Sequence, residues 1–194
     1  MNERPLQKLA LCGSLHQTES MDDFRERVAR AELTGELLAR VGHSFWQLAE
    51  CEDAVAAYLV VRLKATQGMG NVAGEALIAE ARKRTFGSLV SEMREAGVLE
   101  AGAQTRLDQL VAERNWLAHR AKRESRGVIF DDVSYHQLSA RLESIADEAS
   151  SLLRLVGDQM MEYVLSKGLD QSEIERESIR IASSWGYFGG TRTA

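Results

Sequence analysis

The chain is poor in proline and in aromatic residues. Its 194 residues include one proline, Pro5, and 6% aromatic side chains. Proline breaks a helix when it falls in the interior, so the stretch after Pro5 predicts long, uninterrupted helices. Ala, Leu, Glu and Arg are frequent and favour the same structure. The sequence therefore predicts an all-α protein.

Cysteine and long apolar runs are also scarce. Cys12 and Cys51 match no metal-ligand spacing and are too few for a disulfide framework. We expect two reduced thiols and no metal or cofactor. No apolar run follows a basic start, which argues against a signal peptide, and no window approaches the roughly 18 apolar residues of a membrane span. These features predict a cytoplasmic protein with no membrane partner.

The charge and apolar content limit what the chain can be. A net charge of −5 argues against a surface coated for nonspecific DNA binding, although a local basic site remains compatible with it. At 44% hydrophobic, the chain can bury one sizeable core. We predict a flexible N-terminal arm over 1–20, a single helical domain over 21–188 and a C-terminal tail over 189–194.

Capping residues and glycines divide the domain into five or six helices. Ser20 with two following aspartates predicts a helix start, and the Gly68 and Gly70 pair predicts its end. This stretch is predicted as one long helix or two in near-continuation, with a possible irregularity at Gly35. Its apolar stripe is formed by Phe24, Val28, Ala31, Val41, Phe45, Leu48, Val55, Leu59 and Leu63. Shorter helices are predicted over 73–84, from Thr85 to Gly97 and from about 102 onward. The apolar piece Val128 to Phe130 is predicted as a loop or a short strand.

A very long helix is predicted in the C-terminal half, capped by Asp131 and Asp132 and ended by Gly168. Its apolar residues alternate four and three apart, as in a bundle seam: Leu138, Leu142, Ile145, Ala149, Leu152 and Val156. A last helix is predicted over about 171–184. The aromatic, glycine-rich stretch that follows it is expected to dock on the bundle or on a second subunit.

The octet from Glu113 to Arg120 gathers the groups best suited to chemistry on a phosphodiester. Arg114 offers a rigid fork of donors for phosphate oxygens, and His119 can exchange protons near neutral pH. Asn115 lies four residues before His119 and shares its helix face. Trp116 is a candidate for stacking on a base, with ordinary packing as the alternative.

Arg114 and His119 do not share a face on a regular helix. They are separated by roughly 140° at about 100° per residue. Three arrangements remain open: the helix ends or distorts near Ala118, the long Arg114 side chain bends around, or a second copy completes the site. We favour a composite site at a two-fold interface, where the same patch meets itself. Pairing of Arg114 with an acidic residue inside the bundle is the plainer alternative.

A basic segment follows the octet. Over 113–126, five cations face two carboxylates, a net +3 in a chain of −5. Arg120, Lys122 and Arg123 are therefore candidate RNA-binding residues. The alternative is that these three residues only complement the negative end of a helix dipole.

The pattern Arg114-Asn115-x-x-x-His119 resembles the Arg-polar-x(3–5)-His signature of HEPN domains (higher eukaryotes and prokaryotes nucleotide-binding). The following Leu117, Ala118 and Arg120 match a form common among prokaryotic members. The Thr85 to Val90 stretch, placed before the motif helix, also resembles the order seen in that family. The resemblance covers roughly residues 40–165, and the first 20 and last 25 residues match no family pattern.

This resemblance implies a helical bundle that forms a homodimer, with two motifs facing across a cleft. It also implies metal-independent RNA cleavage, in which His119 acts as general acid or base, Arg114 stabilises the phosphate and Asn115 positions either group. Active members occur in toxin–antitoxin, abortive-infection and CRISPR-associated systems, so an antitoxin is a possible partner. Two alternatives remain: a catalytically inactive HEPN-like dimer that binds a protein or nucleotide, and a plain helical interaction module.

Overall fold

A computed structural model describes residues 20–66 and 68–184, with the side chains of 177 and 180–184 left out. Within that part the protein is all-helical and contains no strand. The helices are α1 (Met21–Leu63), α2 (Asn71–Arg82), α3 (Phe86–Glu95), α4 (Ala101–His119), α5 (Ala121–Glu124), α6 (Asp132–Ser166) and α7 (Gln171–Ser184). The predicted all-α bundle with a very long helix in its C-terminal half is confirmed. Seven helices replace the expected five or six, counting the single turn of α5.

Helix boundaries follow the predicted capping residues. The Ser20 side chain accepts from the Asp23 amide at 3.1 Å, and Asp23 reaches back to the Ser20 amide, which forms a capping box. Thr85 caps α3 by accepting from the Ser88 amide, and Asp131 caps α6 by accepting from the Ser134 amide. Val128 to Phe130 forms a single 3₁₀ turn between α5 and α6, so neither the predicted loop nor a strand describes it fully.

Helix α1 ends at Leu63, five residues before the glycine pair at which the sequence predicts its end. Gly68 and Gly70 have φ angles of 83° and 78°, in the region that a Cβ atom disfavours. The helix closes at Leu63, and the chain turns through these two glycines into α2. A side chain at either position would strain this turn.

Helices α1 and α6 run parallel and form the centre of the bundle. The Tyr135 hydroxyl donates to Glu36 at 2.9 Å, and the Ser44 hydroxyl donates to the Leu142 carbonyl at 2.8 Å. Further along both helices, the Arg62 guanidinium covers the Tyr163 ring at 4.4 Å. Residue numbers thus rise together along the pair. Helix α4 runs the other way against α6, because Arg106 pairs with Glu148 and Glu113 pairs with Arg141.

The core lies between α1, α3, α4 and α6. The predicted seam of α6 is confirmed, since its residues from Leu142 to Val156 face inward and are buried. The largest fully buried side chains include Tyr58, Phe86, Leu48, Leu59, Leu89, Met93, Leu107, Leu110, Leu142 and Leu152. Each such side chain contributes about 1.5–3 kcal/mol relative to an exposed position.

The predicted single stripe on α1 is wrong. Leu48, Val55 and Leu59 are buried, but Phe24, Val28 and Phe45 are exposed on a different face. Residues spaced strictly three and four apart drift around a helix of 3.6 residues per turn. The apolar residues of α1 therefore form two stripes, one toward the core and one toward solvent.

Candidate functional site

The octet occupies the last turns of α4, as predicted. The helix runs regularly from Ala101 to His119, and Arg120 is its C-terminal cap, with the Arg120 amide donating to the Trp116 carbonyl at 2.8 Å. The chain then enters α5 at Ala121, which is buried. Distortion of the helix near Ala118 therefore does not bring Arg114 and His119 together.

Arg114 is half-buried and faces α1. Its Nε donates to Glu52 Oε1 at 3.0 Å, and both side chains are about one-third exposed or less. This contact agrees with the alternative predicted from the sequence, in which Arg114 pairs with an acidic residue of the bundle. Within the described part of the chain, the two Nη groups make no hydrogen bond. The guanidinium is thus anchored at one nitrogen and keeps two donor groups for another partner.

Glu52 is the residue that sequence reasoning missed. It follows buried Cys51 on α1, where a carboxylate next to the core requires a partner. Burial, followed by the charges of Glu52 and Glu148, raises the pKa of the Cys51 thiol to about 12. The sequence signal was a carboxylate directly after Cys51, beside core residues of α1, together with an arginine on the apolar stripe of α4 that also needs a partner.

His119 is exposed at the end of α4. Its ring makes no hydrogen bond or ion pair with residues 20–66 or 68–184. Both ring nitrogens are therefore available for proton exchange with a ligand at the surface.

Asn115 is exposed one turn before His119 and makes no side-chain hydrogen bond with the described residues. On a regular helix the two side chains point the same way. Arg114 is turned away from both by its contact with Glu52. Arg114 and His119 are five positions apart, which also separates them by roughly 7.5 Å along the axis. One phosphate contacts Asn115 and His119 together more easily than Arg114 and His119.

Trp116 is a packing residue in this structure. It is 8% exposed, and the Arg141 guanidinium carbon lies 3.5 Å from the ring centroid. The indole Nε1 donates to Glu124 at 2.6 Å, and Arg141 also pairs with Glu113 at 2.9 Å. Trp116 therefore joins the ends of α4, α5 and α6. Its covered face is not open to a base, so the packing alternative describes its position.

Four cations lie on the surface just beyond His119: Arg120, Lys122, Arg123 and Arg126. All four are exposed, and none makes an ion pair within the part of the chain that the structure describes. We call them the basic cluster. The nearby Glu124 carboxylate accepts from the Trp116 indole, which orients it toward α4. The cluster thus presents unbalanced positive charge beside the His119 imidazole.

A groove beside α4 lies on another side of the helix. It measures about 1,100 Å³ and runs between α4 and α6, where Arg106, Glu113, Arg141, Glu143, Asp147 and Glu148 line it. Neither Arg114 nor His119 borders it. Four carboxylates against two arginines disfavour a polyanion in this groove. The motif therefore lies on an open surface.

No three His, Cys, Asp or Glu side chains cluster within residues 20–66 and 68–184 in a way that would hold a metal ion. None of the helices in the same residues is long and apolar enough to cross a membrane.

Comparison with protein-family models, curated proteins and solved structures gives no match. The resemblance to HEPN domains thus stays a prediction from the residues of α4. Of the arm predicted over 1–20, only Ser20 at the start of α1 belongs to the described part. The residues from 185 onward also lie outside it.

Proposed function

We propose that this chain is a metal-independent endoribonuclease of the HEPN type, acting in the cytoplasm as a toxin or phage-defence effector. The observation that carries the proposal is the exposed His119 imidazole beside four cations that make no ion pair with residues 20–66 or 68–184. A general acid–base group and a phosphate-binding surface are the two components that this chemistry needs.

In the proposed reaction, the ribose 2′-hydroxyl attacks the adjacent phosphorus and the bond to the 5′-oxygen of the next nucleotide breaks. His119 removes or donates the proton, with Asn115 positioning the imidazole or the phosphate. The products are a 2′,3′-cyclic phosphate and a 5′-hydroxyl end. DNA lacks the attacking hydroxyl and is spared.

Arg114 stabilises the charge that develops on the phosphate oxygens. Glu52 is its positioning residue, because the Nε contact orients the guanidinium and leaves both Nη groups for the phosphate. Arg120, Lys122 and Arg123 hold the neighbouring phosphates of the RNA. Trp116 is left out of substrate binding, since Arg141 covers its ring.

Arg114 and His119 of one chain point to different sides of α4, so one chain does not direct both at the same phosphorus. The proposal therefore keeps the composite site, in which a second copy supplies one of the two groups. An antitoxin that covers the basic cluster would be the natural inhibitor of such a surface.

A second function is favoured by the Arg114–Glu52 contact. An arginine already paired to a carboxylate suits a structural role, which would make the chain a catalytically inactive HEPN-like dimer that binds a protein or nucleotide. In that case His119 and the basic cluster would bind a phosphate group without cleaving it.

Incubation of purified protein with transfer RNA and total RNA in EDTA distinguishes the two functions. Wild type should cut RNA to cyclic-phosphate and 5′-hydroxyl ends, and His119→Ala should be slower by about 10²–10⁴, the usual contribution of proton transfer. Arg154→Gln is a matched control, since Arg154 is also exposed and unpaired among the described residues but lies on α6. Cleavage by His119→Ala at the wild-type rate contradicts the proposal, and RNA binding without any cleavage supports the inactive dimer.

A further inference from the structure

Helix α1 carries a second apolar stripe that nothing in the described part of the chain covers. It consists of Phe24, Val28, Ala31, Gly35, Leu38, Gly42, Phe45 and Ala49, here named the α1 seam. All eight residues are exposed, and Leu38 is 66% exposed. An added Cβ at Gly35 or Gly42 would meet nothing within 4 Å. The seam faces away from the core residues Leu48 and Val55.

The seam has the spacing of a two-helix interface. Its residues alternate four and three apart without interruption, the repeat that keeps an apolar stripe facing a partner helix. The series of intervals is the same in both directions along α1. A second copy of α1 running antiparallel therefore places one of its own seam residues opposite each seam residue of the first. Each such facing pair is one layer of the interface.

Side-chain size favours the antiparallel direction. In that register Phe24 meets Ala49 of the other copy, Phe45 meets Val28, Leu38 meets Gly35, and Ala31 meets Gly42. Most layers thus set a large side chain against a small one, which fills space evenly. Parallel pairing would set Phe45 on Phe45 and Gly42 on Gly42, so wide and narrow layers would alternate and leave gaps.

The charged residues beside the seam and its apolar area also favour a second copy of this chain as the partner. The antiparallel register sets Arg25 beside Trp46 of the other copy, a cation near an aromatic ring. The half-exposed rings of Phe24, Phe45 and Trp46 supply on the order of 300 Å². The other apolar residues add about as much. Two copies then bury roughly 1,200 Å², where specific interfaces begin.

We infer that the α1 seam is a self-association surface, on which a second copy of this chain packs its own α1 antiparallel about a two-fold axis between Glu36 and Leu37. In this dimer Met21 of one copy lies opposite Glu52 of the other. The two Glu52–Arg114 pairs are roughly 46 Å apart along the helix pair. This interface thus differs from one in which two α4 motifs face each other. A composite motif site would need a separate contact formed on bound RNA, so association without RNA reports on the seam alone.

Sedimentation of the full-length chain without RNA tests the inference independently of any nuclease activity. Wild type should be dimeric at tens of micromolar, and Leu38→Glu with Phe45→Glu should be monomeric, because each dimer would bury four unpaired carboxylates. Circular dichroism should show both proteins equally helical, since the replaced side chains are already in solvent. Val72→Glu is the matched control, because Val72 is 84% exposed on α2 and should leave the dimer intact. A monomeric wild type, or a dimer that survives the seam substitutions, overturns the inference.

A disulfide experiment tests the direction of the helices in a Cys12→Ser background. Chains carrying Phe24→Cys and chains carrying Ala49→Cys should form a mixed disulfide when combined and oxidised, because only antiparallel α1 helices bring these positions together. Disulfides within each variant alone, with none in the mixture, would show parallel packing and overturn the antiparallel register. The buried Cys51 thiol, with its pKa raised to about 12, should not compete.

Discussion

The cations along the body of α4 form ion pairs, whereas those just beyond its C-terminal end form none with the described residues. Along the body, Arg106 pairs with Glu148 and Arg114 pairs with Glu52, each joining α4 to a neighbouring helix. Beyond His119, the basic cluster is exposed and makes no ion pair with the described residues. The difference indicates that charge on the body positions the helix, whereas charge at the end remains available to a partner.

Arg114 lies at the boundary between these two regions. Arg106 binds Glu148 through two nitrogens, Nε and Nη2, and Nη2 also donates to the Ser151 hydroxyl at 2.8 Å. The hydrogen bond to Glu148 raises the Arg106 pKa above its ordinary value. Arg114 has a single such contact, through Nε. A bidentate pair such as Arg106–Glu148 fixes the guanidinium in a structural role, whereas an arginine held through Nε alone keeps both Nη groups for an anion.

The largest effect is expected from a comparison of Arg114→Ala with Arg106→Ala. Arg114→Ala should slow RNA cleavage by about 10²–10³, the usual loss for one oxyanion donor. Arg106→Ala should leave the cleavage rate unchanged and lower the free energy of unfolding by about 1 kcal/mol. Single-turnover cleavage and urea denaturation measure the two quantities. Equal losses of activity in both variants would remove the distinction between the two arginines.

The next effect concerns the basic cluster. Replacing all four of its cations with Gln should weaken binding of single-stranded RNA and make it less salt-dependent. The slope of log K against log salt should fall by up to about 2.8, at roughly 0.7 for each phosphate contact. Fluorescence titration at several salt concentrations measures it. An unchanged slope would mean that these cations only complement the end of the helix.

The replacement Trp116→Phe should affect stability and leave RNA binding intact. Phenylalanine keeps the ring beneath Arg141 but loses the hydrogen bond to Glu124. We expect a loss of about 1–2 kcal/mol, which lowers the Tm by roughly 2–8 °C for a chain of this size. Calorimetry and RNA titration check both parts. Weaker RNA binding without a loss of stability would restore Trp116 as a substrate-binding residue.

The smallest effect is a pH dependence at a helix cap. Hydrogen bonds from the Ser134 side chain and amide lower the pKa of Asp131 below its ordinary value. A lowered pKa gives stability that is present above the unfolded value of 3.8 and is lost as the pH falls through the folded value. Asp131→Asn retains a capping oxygen that does not titrate. Its Tm should therefore decline less than that of wild type between pH 4 and pH 2.

Asp132→Asn is the control for the cap, because the Asp132 side chain makes no hydrogen bond with the described residues. Its decline in Tm with acid should follow that of wild type. A parallel decline in Asp131→Asn would contradict the assignment of the acid loss to this carboxylate.

Much of the fold could be predicted because its signals are local. Ser20, Thr85 and Asp131 cap helices at the expected places, and the α6 seam is buried as its spacing indicates. Capping and periodicity depend on residues only a few positions apart. Such signals do not require knowledge of the partner helix.

The features that the sequence did not predict correctly are those that depend on packing against another helix. Phe24 and Phe45 fit a helical stripe, but whether that stripe faces the core depends on which side α6 packs. The Arg114–Glu52 contact joins residues on α4 and α1, and no pattern within either helix identifies the pair. The motif residues were found because they lie together in sequence. Their catalytic roles stay a prediction, since neither a ligand nor a relative indicates what binds there.

The parallel course of α1 and α6 also fixes where the ends of the chain emerge. Residue numbers rise together from Glu36 and Tyr135 to Arg62 and Tyr163, so both helices begin at one pole of the bundle and finish at the other. The segment before Ser20 thus joins the first pole, and α7 follows from the second. A fluorophore attached at Ser20 and another attached at Asp170 would report on opposite poles, so binding events at the two could be observed independently.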